Sequence, residues 1–478
     1  MKIHVQDGDL HLTRLRTRMP FKYGIATMTS TPHAFLRLRV EGDGKSGIGI
    51  AADSLPPKWF TKDPARALDE EVADMLRVIE HARDCARGLH AESPFAAWRQ
   101  LYDVQARWGH DQKLPALLSH FGTALVERAL IDAVCRLAKQ PFFQLVRSNQ
   151  IGMRLGELHP CLAGKSPADF LPEQPLRQIT LRQTVGLADP LLDEDSAPHE
   201  RLDDGLPQSL VACIRSYGLH HFKIKVSGRI DHDRERLRRI ARVIEQCTMQ
   251  PYRFTLDGNE QFHTLAEFQA IWQDLLDDTH LENFFEHLTF VEQPFLRDVA
   301  LDRKVVGGLA GWSRRPPIII DESDGDLESL PQALQLGYAG TSHKNCKGVF
   351  KGIANFCLLQ QRRREHPDRP AIMSGEDLVN IGPVALLQDL TVCAVLGLQS
   401  VERNGHHYFA GLSMFPRAVQ EQVLQAHADL YHATPQGWPA LRIKDGMIAV
   451  GSLAAAPFGT GFLLDVEAFT PRALWQYQ

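Results

Sequence analysis

The first 60 residues alternate apolar and polar positions, and a period of two predicts β-strands. The alternation is clear in LHLTRLR and in HAFLRLRVEGDGKSGIGI, where EGDGKSG separates two runs as a turn. From residue 66 to about 147 the apolar positions fall three or four apart, as in EEVADMLRVIEHA, which predicts amphipathic helices. The two patterns together predict an α+β domain at the N-terminus.

The pattern changes again after a proline-rich, irregular stretch at 163–178. Short apolar runs then alternate with helical stretches such as RERLRRIARVIEQ and TLAEFQAIWQDLL. The eight runs are ITLRQTVGL, HFKIKV, YRFTLD, LTFVEQ, PIIID, AGTSHK, AIMSG and LQSVE. Eight strands at this spacing favour a closed parallel barrel of the TIM type over an open sheet.

These changes of pattern divide the chain into three parts. We expect the α+β domain at 1–165, the (β/α) barrel at 166–415 and a C-terminal segment at 416–478. The segment regains strand character in LRIKDGMIAV, and a barrel that ends near 410 does not need it, so we expect it to pack on the N-terminal domain. The acidic insert DPLLDEDSAPHERLDD, after the first barrel strand, is typical of a solvated surface excursion.

Composition excludes several classes of protein. The chain has 478 residues, 44% of them hydrophobic, and its net charge of −5 comes from mixed signs. We therefore expect neither a nucleic-acid surface nor a membrane anchor. The N-terminal MKIHVQDGDLHLTRL lacks the apolar stretch of a signal peptide, so we expect a cytoplasmic protein. Eight cysteines without CxxC pairing indicate reduced thiols.

Five charged residues end five consecutive strand-like runs of the predicted barrel. They are Lys225, Asp257, Glu292, Asp321 and Lys344. A single Asp after a strand is often only the N-cap of the next helix, and a single Lys there is usually solvated. Five in succession are hard to explain in that way. In a parallel barrel they converge on the face where active sites of this fold lie.

Three of these residues suit a divalent metal ion. Carboxylate oxygens from Asp257, Glu292 and Asp321, with positions left open for water and substrate, fit Mg²⁺ or Mn²⁺ better than Zn²⁺. Such a metal holds a substrate carboxylate and stabilises the charge that develops when the adjacent C–H bond loses its proton. We therefore expect Mg²⁺, with Mn²⁺ as the alternative.

The lysines suggest acid and base groups. Lys223 and Lys225 share one phase of their strand, as Asp257 and Asn259 share one phase of the next. We expect repulsion between the two lysines to lower a pKa and favour a neutral base. Lys344 follows the sixth strand, diametrically opposite Lys225 on the second, so one base would stand on each face of a planar intermediate.

On these residues the chain resembles the enolase superfamily, specifically its muconate lactonizing enzyme-like group (the mandelate racemase/muconate lactonizing enzyme family). The shared motifs are KxK, Asp-x-Asn, VEQP, DES and a lysine on strands two to six. The resemblance implies a modified (β/α)7β barrel with an α+β capping domain whose loops, within 15–60, select the substrate.

The resemblance also implies residue roles. Asp257, Glu292 and Asp321 would carry the metal, and Lys225 and Lys344 would be the acid/base pair. Lys223 would help to neutralise a substrate carboxylate, and Glu402 would lie beside it. The substrate-binding set therefore comprises Lys223, Asn259, Glu402 and two capping-loop residues, Phe21 and Tyr23.

Two departures from the motifs of related subgroups narrow the range of possible reactions. The seventh strand, MSGEDLVNIG, lacks the histidine of mandelate racemase-like enzymes and of many sugar-acid dehydratases. Glu402-Arg403-Asn404 replaces the Asp-x-Asp with which dipeptide epimerases hold a substrate amine. We expect an enzyme, a homo-oligomer, that abstracts the α-proton of a small carboxylate and racemises, epimerises or cycloisomerises it. A lyase or dehydratase acting by β-elimination and a non-catalytic carboxylate-binding protein are the alternatives.

Overall fold

The structure is a computed structural model that describes residues 1–23 and 25–477. The N-terminal sheet contains three long antiparallel strands, β1 (Ile3–Tyr23), β2 (Ala26–Gly42) and β3 (Lys45–Ser54). Alternate residues of β2, such as Leu36, Leu38 and Val40, are fully buried, as the period of two predicts.

Four helices follow and cover one face of this sheet. They are Leu68–Ala86, Pro94–Asp111, Ala116–Ala138 and Phe142–Arg147. The helix Ala116–Ala138 is buried along nearly its whole length, so it forms the centre of the domain. It approaches β3 so closely that a Cβ on Gly49 would lie 2.0 Å from the carbonyl oxygen of Ala129. A glycine is required at that contact.

Eight parallel strands form the second unit, and they close into a barrel because the last pairs with the first. The strands are β4 (Gln178–Val185), β5 (His221–Lys225), β6 (Arg253–Asp257), β7 (Leu288–Glu292), β8 (Ile318–Ile320), β9 (Gly340–His343), β10 (Ile372–Gly375) and β11 (Ser400–Arg403). All eight coincide with the predicted runs. The predicted barrel with an α+β domain is confirmed.

Helices connect the barrel strands on the outside. The longer ones are Leu210–Tyr217, Ile230–Cys247, Leu265–Leu276, Ser329–Leu336, Val349–Glu365 and Ala385–Leu396. Between β7 and β8 the connection contains only the short helix Arg303–Val306 and a single 3-10 turn. The last strand leads into the short helix Gly405–Tyr408. In the described part of the chain, no helix combines the length and apolar character that crossing a membrane requires.

The C-terminal segment contacts both units. It begins with the helix Arg417–Ala426. Its hairpin, Ile443–Lys444 with Met447–Ala449, pairs antiparallel with barrel strand β4. Further on, Thr470–Pro471 pairs with β1 of the N-terminal sheet. The segment thus lies against the barrel as well as the N-terminal domain, and the boundaries at 165 and 415 stay predictions.

The acidic insert is mostly exposed, as expected for a solvated excursion, but it is anchored at two points. The carboxylate of Asp189 accepts hydrogen bonds from the Tyr408 hydroxyl at 2.8 and 2.9 Å. Asp204 forms a bidentate ion pair with the buried Arg18 of β1, at 2.6 and 2.8 Å. The insert therefore connects the N-terminal sheet to the barrel.

Candidate active site

The five predicted strand-end charges gather at one end of the barrel. Lys225, Asp257 and Glu292 are the last residues of β5, β6 and β7, and the strand register places them side by side. Asp321 follows β8 directly, and Lys344 follows β9. Because parallel strands present their carboxyl ends to one face, five sequence positions far apart become one cluster.

A cavity of about 630 Å³, including the open space at its mouth, lies over this cluster. Most of the predicted site residues line it: Phe21, Lys223, Lys225, Asp257, Asn259, Asp321, Lys344 and Glu402. Glu292 is fully buried and is not part of this lining. The side chain of Tyr23 lies outside what the structure describes. Met28, Trp59, Leu378 and Val379 give the cavity an apolar wall.

The carboxylates best placed to share a metal ion differ by one from the predicted set. Oxygens of Glu292, Asp321 and Glu376 lie within 4.8 Å of one another. Asp257 instead directs Oδ2 toward the lysines, 2.5 Å from Lys225 Nζ and 3.0 Å from Lys223 Nζ. Glu376 follows β10 directly, so the strand-end rule that selected the other acids also points to it.

The carboxylate cluster fits a divalent cation. Both oxygens of Glu292 are buried and accept no hydrogen bond of good geometry, although Lys223 Nζ lies 2.7 Å from Oε2. Burial and the charges of Asp257 and Glu376 raise the pKa of Glu292 well above its ordinary value. Buried carboxylates that share one ammonium group in this way are stabilised by a metal ion, and an all-oxygen donor set suits Mg²⁺.

Lys223 is the electrostatic centre of the site. Its Nζ lies 2.8 Å from Glu376, 3.0 Å from Glu402 and within 3.0 Å of Asp257 and Glu292. Burial alone would lower the pKa of Lys223, but the four carboxylates raise it well above its ordinary value. Nearby acids thus outweigh the neighbouring lysine at Lys223, and the expectation that one of the two lysines is a neutral base stays a prediction.

Lys344 is held between an acid and an aromatic ring. Its Nζ donates to Asp321 Oδ2 at 2.5 Å and lies 4.5 Å from the ring centroid of Trp59. Burial would lower the pKa of Lys344, but Asp321 and Glu376 raise it well above the ordinary value. Ser342 and Lys347 hold the other oxygen of Asp321, which fixes the carboxylate from a second side.

Glu402 is buried and bound on both oxygens. Thr184 Oγ1 donates to Oε1 at 2.6 Å, Asn404 Nδ2 donates to the same oxygen at 3.0 Å, and Lys223 donates to Oε2. Burial would raise the pKa of Glu402, but Lys223, Lys225 and Lys344 lower it. Glu402 is thus an ionised, fixed carboxylate that borders the cavity.

Glu322 is a cavity residue that the sequence patterns did not single out. It neighbours Asp321 and lines the cavity, and burial together with the charges of Asp321 and Glu260 raises its pKa to about 8. No histidine is among the described residues that line the cavity. His343 points away from it, toward Asn345.

An arginine fixes the segment that covers the cavity. Arg297 forms a bidentate pair with Glu260 and also donates to the carbonyl oxygens of Trp59 and Phe60, at 2.9 and 2.8 Å. Lys62 reaches the barrel as well, 3.2 Å from Glu260 and 2.8 Å from the carbonyl oxygen of Asn259. These contacts hold Trp59 above Lys344.

No protein-family model matches the chain, and no curated protein matches it by sequence. Solved structures do resemble it. A dipeptide epimerase from Enterococcus faecalis V583, complexed with Mg and the dipeptide L-Leu-L-Tyr, aligns at 14% identity over 95% of this chain and 99% of its own, with a TM-score of 0.59. An N-succinyl Arg/Lys racemase from Bacillus cereus ATCC 14579 aligns at 14% identity over 94% and 97%, with a TM-score of 0.56.

A third similar structure is a mandelate racemase/muconate lactonizing protein from Herpetosiphon aurantiacus. It aligns at 16% identity over 84% of this chain and 88% of its own, with a TM-score of 0.53. At identities this low, the similarity concerns the fold. The chain therefore has the fold of these proteins, a barrel with an α+β domain over the end that carries the charged cluster.

Proposed function

We propose that the chain is an enolase-superfamily enzyme that abstracts the α-proton of a carboxylate substrate and returns a proton, as a racemase, epimerase or cycloisomerase does. The observation that carries this proposal is the placement of Lys225 and Lys344 at the ends of strands on opposite sides of the barrel, around buried carboxylates and in one cavity. Proton removal from one face and delivery to the other requires two such groups.

Each residue of the proposed active site has its own role in the reaction. Lys225 and Lys344 each exchange a proton with one face of the substrate α-carbon. Glu292 and Asp321, with Glu376 or Asp257, would hold Mg²⁺, which supplies positive charge against the enediolate oxygens when bound. Lys223 balances the surrounding acids. The wall of Phe21, Met28 and Trp59 keeps bulk water from the reacting carbon and receives the apolar part of the substrate.

The isomerase is favoured over a lyase because elimination needs an acid placed at a leaving group. Of the candidate acids, Glu402 is held ionised and Glu376 is bound by Lys223 and Arg182. Asp377 and Glu322 also border the cavity, and burial raises their pKa values to about 6 and about 8, so these are the acids that a lyase would use. A cytoplasmic homo-oligomer stays a prediction.

The test is incubation in D₂O with Mg²⁺ of a panel of N-acyl amino acids, hydroxy acids and lactone-forming diacids. We expect deuterium at the α-carbon of a substrate without further change in mass. Release of water or another fragment as the main outcome would establish the lyase. Tight carboxylate binding without any exchange would favour a binding protein.

The two lysines are tested with single enantiomers of the substrate found. Lys225→Ala and Lys344→Ala should each abolish turnover, yet each should still exchange the α-proton of one enantiomer, and the two variants should choose opposite enantiomers. Lys139→Ala, on the surface, is the matched control. Normal turnover in either active-site variant, at an unchanged melting temperature, would exclude the two-base assignment.

A further inference from the structure

A second cavity lies at the opposite end of the barrel from the candidate active site. Its volume is about 1240 Å³ when the open space at its mouth is included. Residues at or near the starts of the strands line it, among them His221 of β5, Arg253 of β6, Thr289 of β7 and Ser400 of β11. The catalytic candidates stand at the ends of the same strands, so the two cavities are separate.

The charge of this second cavity has one sign. Arg182, Arg253 and Arg363 line it, and none of the described residues in the lining is Asp or Glu. Arg253 and Arg363 are exposed at the opening. Among the described residues, neither has a carboxylate within ion-pair distance; their guanidinium groups contact His287 Nδ1 and the carbonyl oxygen of Ala371. Two uncompensated positive charges at an opening attract anions.

Among the described residues, two buried polar atoms in the lining lack a hydrogen-bond partner. Arg182 is 4% exposed and uses Nη2 for Ser374 and Glu376, at 2.6 and 3.1 Å, but its Nε makes no hydrogen bond. Thr255 is 2% exposed, and its hydroxyl has no partner either. Buried donors that lack partners are costly, so a donor pair in an otherwise basic cavity indicates a missing acceptor.

The remaining wall is apolar and aromatic. Phe254, Phe290, Phe356 and Leu359 line it, and the guanidinium carbon of Arg182 lies 5.6 Å from the ring centroid of Phe290. Inorganic phosphate would leave this surface uncovered, whereas an organic anion would place its oxygens on the arginines and its carbon skeleton on the rings.

We propose that this cavity is a binding site for a small organic anion, a carboxylate or a phosphate monoester with an aromatic or aliphatic body. Its oxygens contact the guanidinium groups of Arg253 and Arg363 and, deeper, the N–H of Arg182 and the hydroxyl of Thr255. The body packs on the phenylalanine wall. The site does not depend on the proposed function, because no residue at the opening or in the wall belongs to the proposed active site.

The experiment is calorimetric titration of the full-length protein, in EDTA, with phenyl phosphate, phenylacetate and inorganic phosphate. We expect at least one organic anion to bind with a Kd below about 1 mM and inorganic phosphate to bind at least tenfold more weakly. The tighter of the two organic probes identifies the headgroup. Equal affinity for inorganic phosphate would overturn the role of the apolar wall.

Variants locate the binding. The double variant Arg253→Gln/Arg363→Gln removes two exposed charges without touching the fold's interior and should weaken binding by at least tenfold. Arg107→Gln/Arg215→Gln, the same charge change at exposed positions outside the cavity, should leave affinity within twofold. Thr255→Val, nearly isosteric, should weaken binding severalfold.

Three results would overturn the proposal. They are no binding by either organic anion, equal losses in the two double variants, or full affinity in Arg253→Gln/Arg363→Gln. The last result would place the anion elsewhere, including in the carboxylate cluster at the other end. A crystal structure with phenyl phosphate should show its oxygens at Arg182 Nε and Thr255 Oγ1.

Discussion

At the scale of single residues, the site is a balance between lysines and more numerous carboxylates. Lys223 contacts four acids, yet Glu292 keeps two oxygens without a hydrogen bond. One ammonium group cannot satisfy so many oxygens at once, because its three protons are fewer than the acceptors around it. A divalent cation provides both the charge and the coordination that the lysine cannot.

The first prediction distinguishes the third metal ligand. Glu292→Gln should weaken Mg²⁺ binding about tenfold or more, since it removes a ligand charge at the centre of the cluster. If Glu376 completes the set, Glu376→Gln should do the same, and Asp257→Asn should have a smaller effect because Asp257 is engaged by two lysines. Calorimetric titration with Mg²⁺ measures all three. The reverse order would restore Asp257 to the coordination sphere, as the sequence suggested.

The second prediction concerns a buried histidine that does not line the cavity. His120 stacks on Tyr102 at 3.8 Å, and burial, with a smaller effect of Lys351 and Arg99, lowers its pKa to about 3. The unfolded chain binds this proton from about pH 6.5 downward while the folded protein does not, so His120 destabilises the fold progressively as pH falls from 6.5 toward 3.

His120→Phe keeps an aromatic ring on Tyr102 and removes the titration. Relative to the wild type, its free energy of unfolding should rise by up to about 1.4 kcal/mol per pH unit below pH 6. Denaturant unfolding at pH 7, 6 and 5 measures the difference. A difference that is constant across this range would mean that His120 is protonated in the fold.

The positions of the charged site residues could be predicted where they follow from the alternation of side chains along a strand. The five strand-end charges were found because each ends an apolar run, and their convergence needs only a closed barrel. Glu376 was not assigned to the metal, and the four carboxylates that surround Lys223 were not predicted as its partners. Both depend on which side chains meet across the barrel, and strand phase gives the direction of a side chain but not its partners.

At the scale of elements, the segment that covers the cavity is held by the barrel rather than by its own domain alone. The short helix Pro57–Phe60 has no side-chain cap, and its last carbonyl groups are bound by Arg297. One guanidinium group thus replaces the missing helix partners and positions Trp59 over Lys344. The period of two and the period of 3.6 predict strands and helices, but neither predicts such a cross-domain contact.

The third prediction tests that anchor. Arg297→Met should increase hydrogen exchange at Trp59–Lys62, because two carbonyl groups and Glu260 lose their shared donor. It should also raise KM more than it lowers kcat for the substrate identified, since Trp59 covers the cavity without reacting. Arg303→Met, at an exposed position, is the control. Unchanged exchange in Arg297→Met would show that Lys62 alone holds the segment.

Some contacts of the acidic insert and of the C-terminal segment were also not predicted from the sequence. The acidic insert is mostly exposed, as expected of a solvated surface excursion, but its anchoring by Arg18 and Tyr408 was not predicted. The tail was expected on the N-terminal domain, and its hairpin also extends the barrel sheet at β4. The contacts of the insert and of the tail hairpin do not follow from a periodic pattern, because a period predicts strands and helices but not their partners.

At the scale of the whole molecule, the two ends of the barrel carry charge of opposite sign. The candidate active site concentrates carboxylates, and the far end presents arginines. Arg182 lies between them, bonded to Glu376 on one side and lining the basic cavity on the other. The contact between Arg182 and Glu376 thus compensates charge inside the barrel. The charges that remain at each end are available to bind a ligand.

The last prediction follows from the excess at the carboxylate end. Mg²⁺ that binds only the folded protein stabilises it by about 2.7 kcal/mol at one hundred times its Kd, so the unfolding midpoint should rise with Mg²⁺ concentration and fall in EDTA. The order of stability of the wild type and the Glu292→Gln variant should differ between EDTA and Mg²⁺. In EDTA the variant should be at least as stable as the wild type, because Lys223 then compensates three buried carboxylates instead of four. In saturating Mg²⁺ it should be less stable, because it has lost the ligand.

Differential scanning fluorimetry of both proteins in EDTA and in Mg²⁺ measures this change in the order of stability, with Ca²⁺-free buffers and the surface variant Glu421→Gln as control. Parallel Mg²⁺-dependent shifts in wild type and Glu292→Gln would show that the cation binds outside this cluster.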